Sequence, residues 1–166
     1  MKNNNKRAFL FLELLVAVAL ISTVFVTIFF LQSKLLQIKQ DGIMKVRATY
    51  YAQESMEALR YLRATGGWSA ISSLATATDH YISYAGETWS ISTTPVAPDT
   101  DTPPSMFTRT IRFDTVNRQN DQQGAIITTP GYEDSGTRKV TVTVSWDGGA
   151  KSVVFDTYFT DWTSSL

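Results

Sequence analysis

The chain has no cysteine among its 166 residues and a single histidine, His80. Without cysteine, disulfide bonds, thiolate nucleophiles and cysteine-ligated metal sites are excluded, so an exported domain must be held together by its apolar core alone. A single histidine excludes a histidine cluster, and neither a Gly-x-Ser-x-Gly motif nor a phosphate-cradling glycine loop occurs. We therefore expect no enzymatic activity, no catalytic residues and no cofactor.

The chain also has no net charge, since 15 Lys and Arg residues balance 15 Asp and Glu residues. Nothing in this balance indicates nucleic acid as a partner. The charges are unevenly distributed, however. Residues 1–8 carry Lys2, Lys6 and Arg7 and no acid, so the rest of the chain has 12 basic and 15 acidic residues.

Proline is absent before Pro95, and the early part of the chain contains a long uncharged run. Residues 14–31 have no formal charge, and only Ser22, Thr23 and Thr27 among them are polar. A helix of this length spans about 27 Å, close to the ~30 Å hydrocarbon core of a bilayer, and it can back-bond such hydroxyls. The run predicts a transmembrane helix over residues 9–33, with the membrane as a partner.

Glu13 directly precedes this run, where an ionisable side chain is costly. Such a cost is usually retained because another group pairs with the charge, which makes Glu13 a candidate functional residue. Three interpretations of the segment compete: a signal peptide, a plain single-pass anchor, and a leader that is cleaved before the apolar helix. A signal peptide fits poorly because the apolar run is too long and no small-x-small site follows it.

Residues 8–15, Ala-Phe-Leu-Phe-Leu-Glu-Leu-Leu, resemble the processing motif of type IV pilins and related pseudopilins. In that family a short basic leader ends in glycine, less often alanine, and cleavage leaves an N-methylated phenylalanine with a glutamate four residues later. The resemblance implies a prepilin leader over residues 1–8, cleavage between Ala8 and Phe9, methylation of Phe9 and an assembly role for Glu13. In a filament, Glu13 would neutralise the N-terminal amine of a neighbouring subunit. Ala8 departs from the preferred glycine, which implies slower processing.

The helical pattern continues past the apolar run, since residues 32–65 contain no proline. We predict an amphipathic continuation over residues 34–65, ending at Gly66-Gly67. One face of it consists of Met44, Ala48, Ala52, Ser55, Leu59 and Leu62. The small residues on this face would let a sheet approach the helix axis closely. The other faces carry charges that we interpret as solvated or as contacts with neighbouring subunits: Lys45, Arg47, Glu54, Glu57, Arg60 and Arg63.

Residues 66–166 have the period-two pattern of a β-rich domain. The predicted strands are Tyr81–Tyr84, Thr88–Thr93, Phe107–Val116, Lys139–Trp146 and Ser152–Trp162, the last two joined by a turn at Asp147-Gly148-Gly149. We expect Val140, Val142 and Val144 to point inward, and residues 117–136 to form a polar connection. The predicted fold class is therefore α+β, with one antiparallel sheet of about four main strands packed on the helix.

The resemblance extends more loosely along the chain to the minor pilins of the pilus-modification class. It rests on the order of residues 52–60, Trp68 and segments 107–111, 140–146 and 157–162. It implies a structural subunit of a type IV pilus-like filament. The implied partners are other pilin subunits, prepilin peptidase, and pilus or type II secretion assembly machinery.

Localisation follows from the same resemblance. Basic residues flank the apolar run on both sides, with Lys34, Lys39, Lys45 and Arg47 after it, so charge alone does not decide the orientation. The resemblance implies a cytoplasmic N-terminus, an exported C-terminal domain and a later place in an extracellular filament. The alternative is a single-pass membrane-anchored extracytoplasmic binding domain with no filament role.

The remaining candidate residues have ordinary explanations. We interpret His80 as an exposed polar residue and the four tryptophans, Trp68, Trp89, Trp146 and Trp162, as core or hairpin packing. The loop acids match no defined calcium loop, so we predict no metal site. These acids are Asp99, Asp101, Asp114, Asp121, Glu133 and Asp134.

Overall fold

The computed structural model describes residues 4–98, 106–119, 124–127 and 131–161, with side chains from Phe9 onward. The chain forms two compact units, Met1–Ile43 and Met44–Leu166. Its helices are α1 (Asn4–Gly66), α2 (Ser69–Ser72) and a 3-10 turn at Asp147–Gly149. Its strands are β1 (Tyr81–Ala85), β2 (Thr88–Ser92), β3 (Phe107–Arg118), β4 (Ile126–Ile127), β5 (Tyr132–Trp146) and β6 (Lys151–Thr160).

The predicted helix face forms one side of the core of the second unit. Ala48, Ala52, Ser55 and Leu59 are all fully buried, with Met44 and Leu62 packed at the edges of the core. Alanine and serine side chains extend little from the helix backbone, so strand side chains can pack close to it. This part of the prediction is confirmed.

Along β5, buried and partly exposed residues alternate as the sequence predicts. Val140, Val142 and Val144 are fully buried on β5, and they lie opposite Thr157, Phe155 and Val153 on β6. The turn between these strands contains Gly148 and Gly149 with φ of 64° and 91°. Such values favour glycine because a side chain clashes there, so the Asp-Gly-Gly sequence fits this hairpin.

The α+β class is confirmed, but the single sheet is not. β1 and β2 form a two-stranded sheet of their own, and the larger sheet has the antiparallel order β4-β3-β5-β6. The two sheets meet at one isolated bridge, His80 to Ile111. The carbonyl of Ile82, two residues beyond His80, accepts a hydrogen bond from the Arg109 guanidinium at 3.0 Å. The Arg109 side chain thus occupies the Ile82 carbonyl, which would otherwise be available for backbone pairing between β1 and β3.

The connection predicted over residues 117–136 is also partly wrong. β3 continues to Arg118, and β5 begins at Tyr132, with a bulge in the pairing between Thr115 and Val116. The short apolar interruption within the predicted connection forms β4, which pairs with the end of β3. The alternation of apolar residues does not reveal this extension of β3 and β5. At its end, the ion pair between Arg118 and Asp134 takes the place of apolar contacts.

Candidate functional site

The first unit is a helix whose apolar side chains have no cover among the described residues. Large apolar side chains from Phe9 to Ile38 are 45–69% exposed. In the described chain, one helix, Phe9–Gly66, is long and apolar enough to cross a membrane, and its most apolar window has a mean hydropathy of 2.8. An exposed apolar surface of this size marks a membrane or protein contact.

The hydroxyl groups within this segment are satisfied by the helix itself, as the sequence predicts. Ser22 Oγ donates to the Val18 carbonyl at 2.7 Å, and Thr23 Oγ1 donates to the Ala19 carbonyl at 2.8 Å. Thr27 makes the same bond to Thr23 at 2.9 Å. These residues can therefore enter an apolar medium without unpaired donors.

Glu13 differs from these hydroxyl groups. No described side chain donates a hydrogen bond or forms an ion pair with its exposed carboxylate, and it is the only ionisable residue between Phe9 and Leu31. It lies on one helix face with Phe9, Leu12, Val16 and Leu20. Transferring an ionised carboxylate to an apolar medium is costly unless its charge is paired.

The helix brings together two of the three residues in the predicted processing motif. Phe9 and Glu13 are four residues apart and lie on the same face, one turn from each other. Ala8 precedes Phe9 within α1. Cleavage between Ala8 and Phe9 would place a new amine one turn from Glu13, at a helix N-terminus that favours negative charge. Cleavage, methylation and assembly at these residues stay predictions.

Glu54 is not merely a solvated charge on the helix. Its carboxylate accepts a hydrogen bond from Arg109 Nη1 at 2.7 Å, and the Arg109 side chain is only 4% exposed. Burial lowers the pKa of Arg109, and the hydrogen bond from Arg109 to Glu54 opposes this effect. Arg109 stands among the inward residues Phe107, Ile111 and Phe113, and that position is the sequence signal for an internal partner. Arg63 also bonds inward, to the Thr160 carbonyl.

His80 is buried, so its interpretation as an exposed polar residue is wrong. Its backbone forms the bridge to Ile111, which draws the ring into the core edge-on to Phe113 at 5.2 Å between centroids. Nε2 donates to the Ala75 carbonyl at 2.9 Å. The ring therefore holds the chain before β1 in place, and both contacts are structural.

Asp134, one of the acids considered for calcium, is committed to an internal cluster. Its carboxylate accepts hydrogen bonds from Arg118 Nε at 2.6 Å and from the Gly136 backbone at 2.9 Å. Burial alone would raise the pKa of Asp134, but the hydrogen bonds from Arg118, Thr137 and Gly136 outweigh it and lower that pKa. Asp99, Asp101 and Asp121 lie outside the described residues. Among the described residues, no three His, Asp or Glu side chains form a metal-binding group.

The tryptophans that the structure describes pack as predicted. Trp146 is buried in the core, 6.2 Å from Phe107 between ring centroids, and Trp68 and Trp89 pack partly against the core. Trp162 lies outside the described residues. These rings therefore contribute to packing in the second unit.

Comparison with known proteins adds no identification. No protein-family model matches the chain, and neither a curated protein nor a solved structure matches it.

Proposed function

We propose that the protein is a structural subunit of a type IV pilus-like filament, of the minor pilin or pseudopilin kind. Prepilin peptidase removes residues 1–8, Phe9 becomes the methylated N-terminus, and the apolar part of α1 inserts among the helices of other subunits. The chain is first a single-pass membrane precursor with its C-terminal domain exported, and then part of an extracellular filament. Its partners are other pilin subunits and the pilus or type II secretion assembly machinery.

The observation that carries the proposal is Glu13, which has no partner among the described side chains and lies on an otherwise apolar helix face. A plain membrane anchor has no use for a carboxylate at this depth, and the hydroxyl groups nearby are already bonded within the helix. A filament supplies both an apolar environment and a cation, namely the amine of a neighbouring Phe9. Pairing converts two costly charges into one neutral contact.

The second unit supports the proposal as an independent domain that needs no cysteine. Its helix face of Ala48, Ala52 and Ser55 packs on an antiparallel sheet, which is the arrangement expected of a pilin-like fold. The proposed role requires no chemistry beyond processing and packing.

Replacement of Glu13 tests the assembly step. We expect both Glu13→Leu and Glu13→Gln to be processed and to keep a folded C-terminal domain, yet to be lost from sheared filaments. Val16→Leu is the matched control, because it enlarges an apolar side chain on the same face and keeps the carboxylate. Normal incorporation of Glu13→Leu would contradict the assembly role and favour an anchored binding domain.

A further inference from the structure

Two lysines follow the apolar part of α1, and no acidic residue lies between Glu13 and Asp41. Lys34 and Lys39 are both exposed. They stand just beyond Leu31, at the end of the apolar run opposite to the basic leader. This region of the chain therefore carries positive charge where a membrane-spanning helix leaves the hydrocarbon.

The Lys34 side chain contacts residues on both sides of it along the helix. Its Nζ lies 5.8 Å from the centroid of the Phe30 ring, so the ammonium group is near a side chain of the apolar run. Nζ also donates to Gln37 Oε1 at 3.4 Å. A lysine ammonium has three donors, and among the described residues Gln37 is its one acceptor. The ammonium group therefore has donors left for acceptors outside the chain.

We propose that Lys34 and Lys39 bind the phosphate groups of anionic phospholipids on the exported face of the membrane. The ammonium groups supply charge and donors, and that of Lys34 lies near an aromatic ring at the end of the apolar run, where a lysine side chain can reach a headgroup. This inference rests on the membrane-anchored state in the proposed function. It does not depend on cleavage or on filament assembly.

The consequence concerns the release of the subunit from the membrane. With Lys2, Lys6 and Arg7 before the apolar run, the precursor has basic groups for anionic lipid at both ends of the span. Removal of residues 1–8 deletes the cytoplasmic set and leaves Lys34 and Lys39 as the remaining headgroup contact. Processing then weakens the electrostatic hold on the membrane without altering the apolar helix.

Lipid retention by the full-length chain tests this proposal. The protein is reconstituted with equimolar phosphatidylcholine and phosphatidylglycerol, and the lipids that stay bound are counted by native mass spectrometry. We expect phosphatidylglycerol to be enriched, and Lys34→Gln/Lys39→Gln to reduce this enrichment by about fivefold per lysine. Lys45→Gln/Arg47→Gln is the matched control and should retain the enrichment, because both residues lie further along the chain from the apolar run.

Three results would overturn the inference. The first is an unchanged lipid preference in Lys34→Gln/Lys39→Gln, and the second is an equal loss in the Lys45→Gln/Arg47→Gln control. The third is equal retention of phosphatidylcholine and phosphatidylglycerol by the unchanged chain, which would show no preference for anionic headgroups. A mature N-terminus at Met1 in the host would contradict the filament function and leave this lipid preference intact, so the two failures are distinguishable.

Discussion

At the residue scale, the buried cation Arg109 determines how the hairpin, the larger sheet and the helix meet. Its guanidinium bonds both Glu54 on α1 and the carbonyl of Ile82 on β1, and it stands in an otherwise apolar row of β3. A buried guanidinium that loses its counter-ion keeps its desolvation cost. Arg109 therefore links these elements and depends on Glu54 for its counter-ion.

We predict that Glu54→Gln lowers the free energy of unfolding by about 1–2 kcal/mol, a modest loss since Glu54 is about half exposed. The double variant Glu54→Gln/Arg109→Met should recover part of this loss, because it removes the buried charge as well as its partner. Urea unfolding of the full-length chain in detergent measures the free energies of unfolding for a double-mutant cycle of Glu54→Gln, Arg109→Met and the double variant. Simple additivity of the two single changes would show that the pair is not coupled.

Asp134 gives a pH dependence of defined sign. Because its pKa is lowered in the folded chain, its contribution to stability is present above the ordinary aspartate pKa and is lost as pH falls through the folded value. We expect Asp134→Asn to destabilise the protein at pH 7 and to flatten the decline in stability from about pH 5 downward. Asp114→Asn, at a partly exposed position on β3, is the control. An unchanged decline in Asp134→Asn would contradict this account.

At the element scale, the strands depend on strict alternation between core and surface. Val142 is fully buried between Ile111 and Phe155 on the neighbouring strands, and Thr143 beside it faces the other side of the sheet. We predict that Val142→Asp abolishes the folded domain, since it buries an unpaired charge, whereas Thr143→Asp leaves it folded. Limited proteolysis of the full-length chain checks both. A resistant C-terminal fragment from Val142→Asp would show that Val142 does not point inward.

The elements also show what the sequence can and cannot predict. The helix face from Met44 to Leu62 and the inward valines of β5 follow from periodicity, because burial on one side imposes a regular spacing. Periodicity also predicts the two strands of the hairpin, but it does not show that they form a separate sheet beside a carbonyl bonded by the Arg109 side chain. The burial of His80 likewise follows from its bridge to Ile111. The extension of β5 to Tyr132 depends on Arg118 and Asp134, a polar pair that no hydrophobic pattern contains.

At the scale of the whole molecule, α1 runs through two units that differ in the burial of their apolar side chains. The second unit, Met44–Leu166, has its own buried core, whereas the apolar side chains of the first unit have no cover among the described residues. In the proposed function, a membrane covers these side chains in the precursor, and the helices of other subunits cover them in the filament. In the proposed filament, the amine of a neighbouring Phe9 would pair with Glu13.

The measurement that tests the filament proposal most directly is the N-terminal mass of the protein recovered from its host membrane. Cleavage between Ala8 and Phe9 predicts a chain that begins at Phe9 and carries one additional methyl group. That result would establish the processing pathway on which assembly through Glu13 depends. A chain that begins at Met1, in cells with an active prepilin peptidase, would contradict the proposal and return the protein to the class of plain membrane-anchored domains.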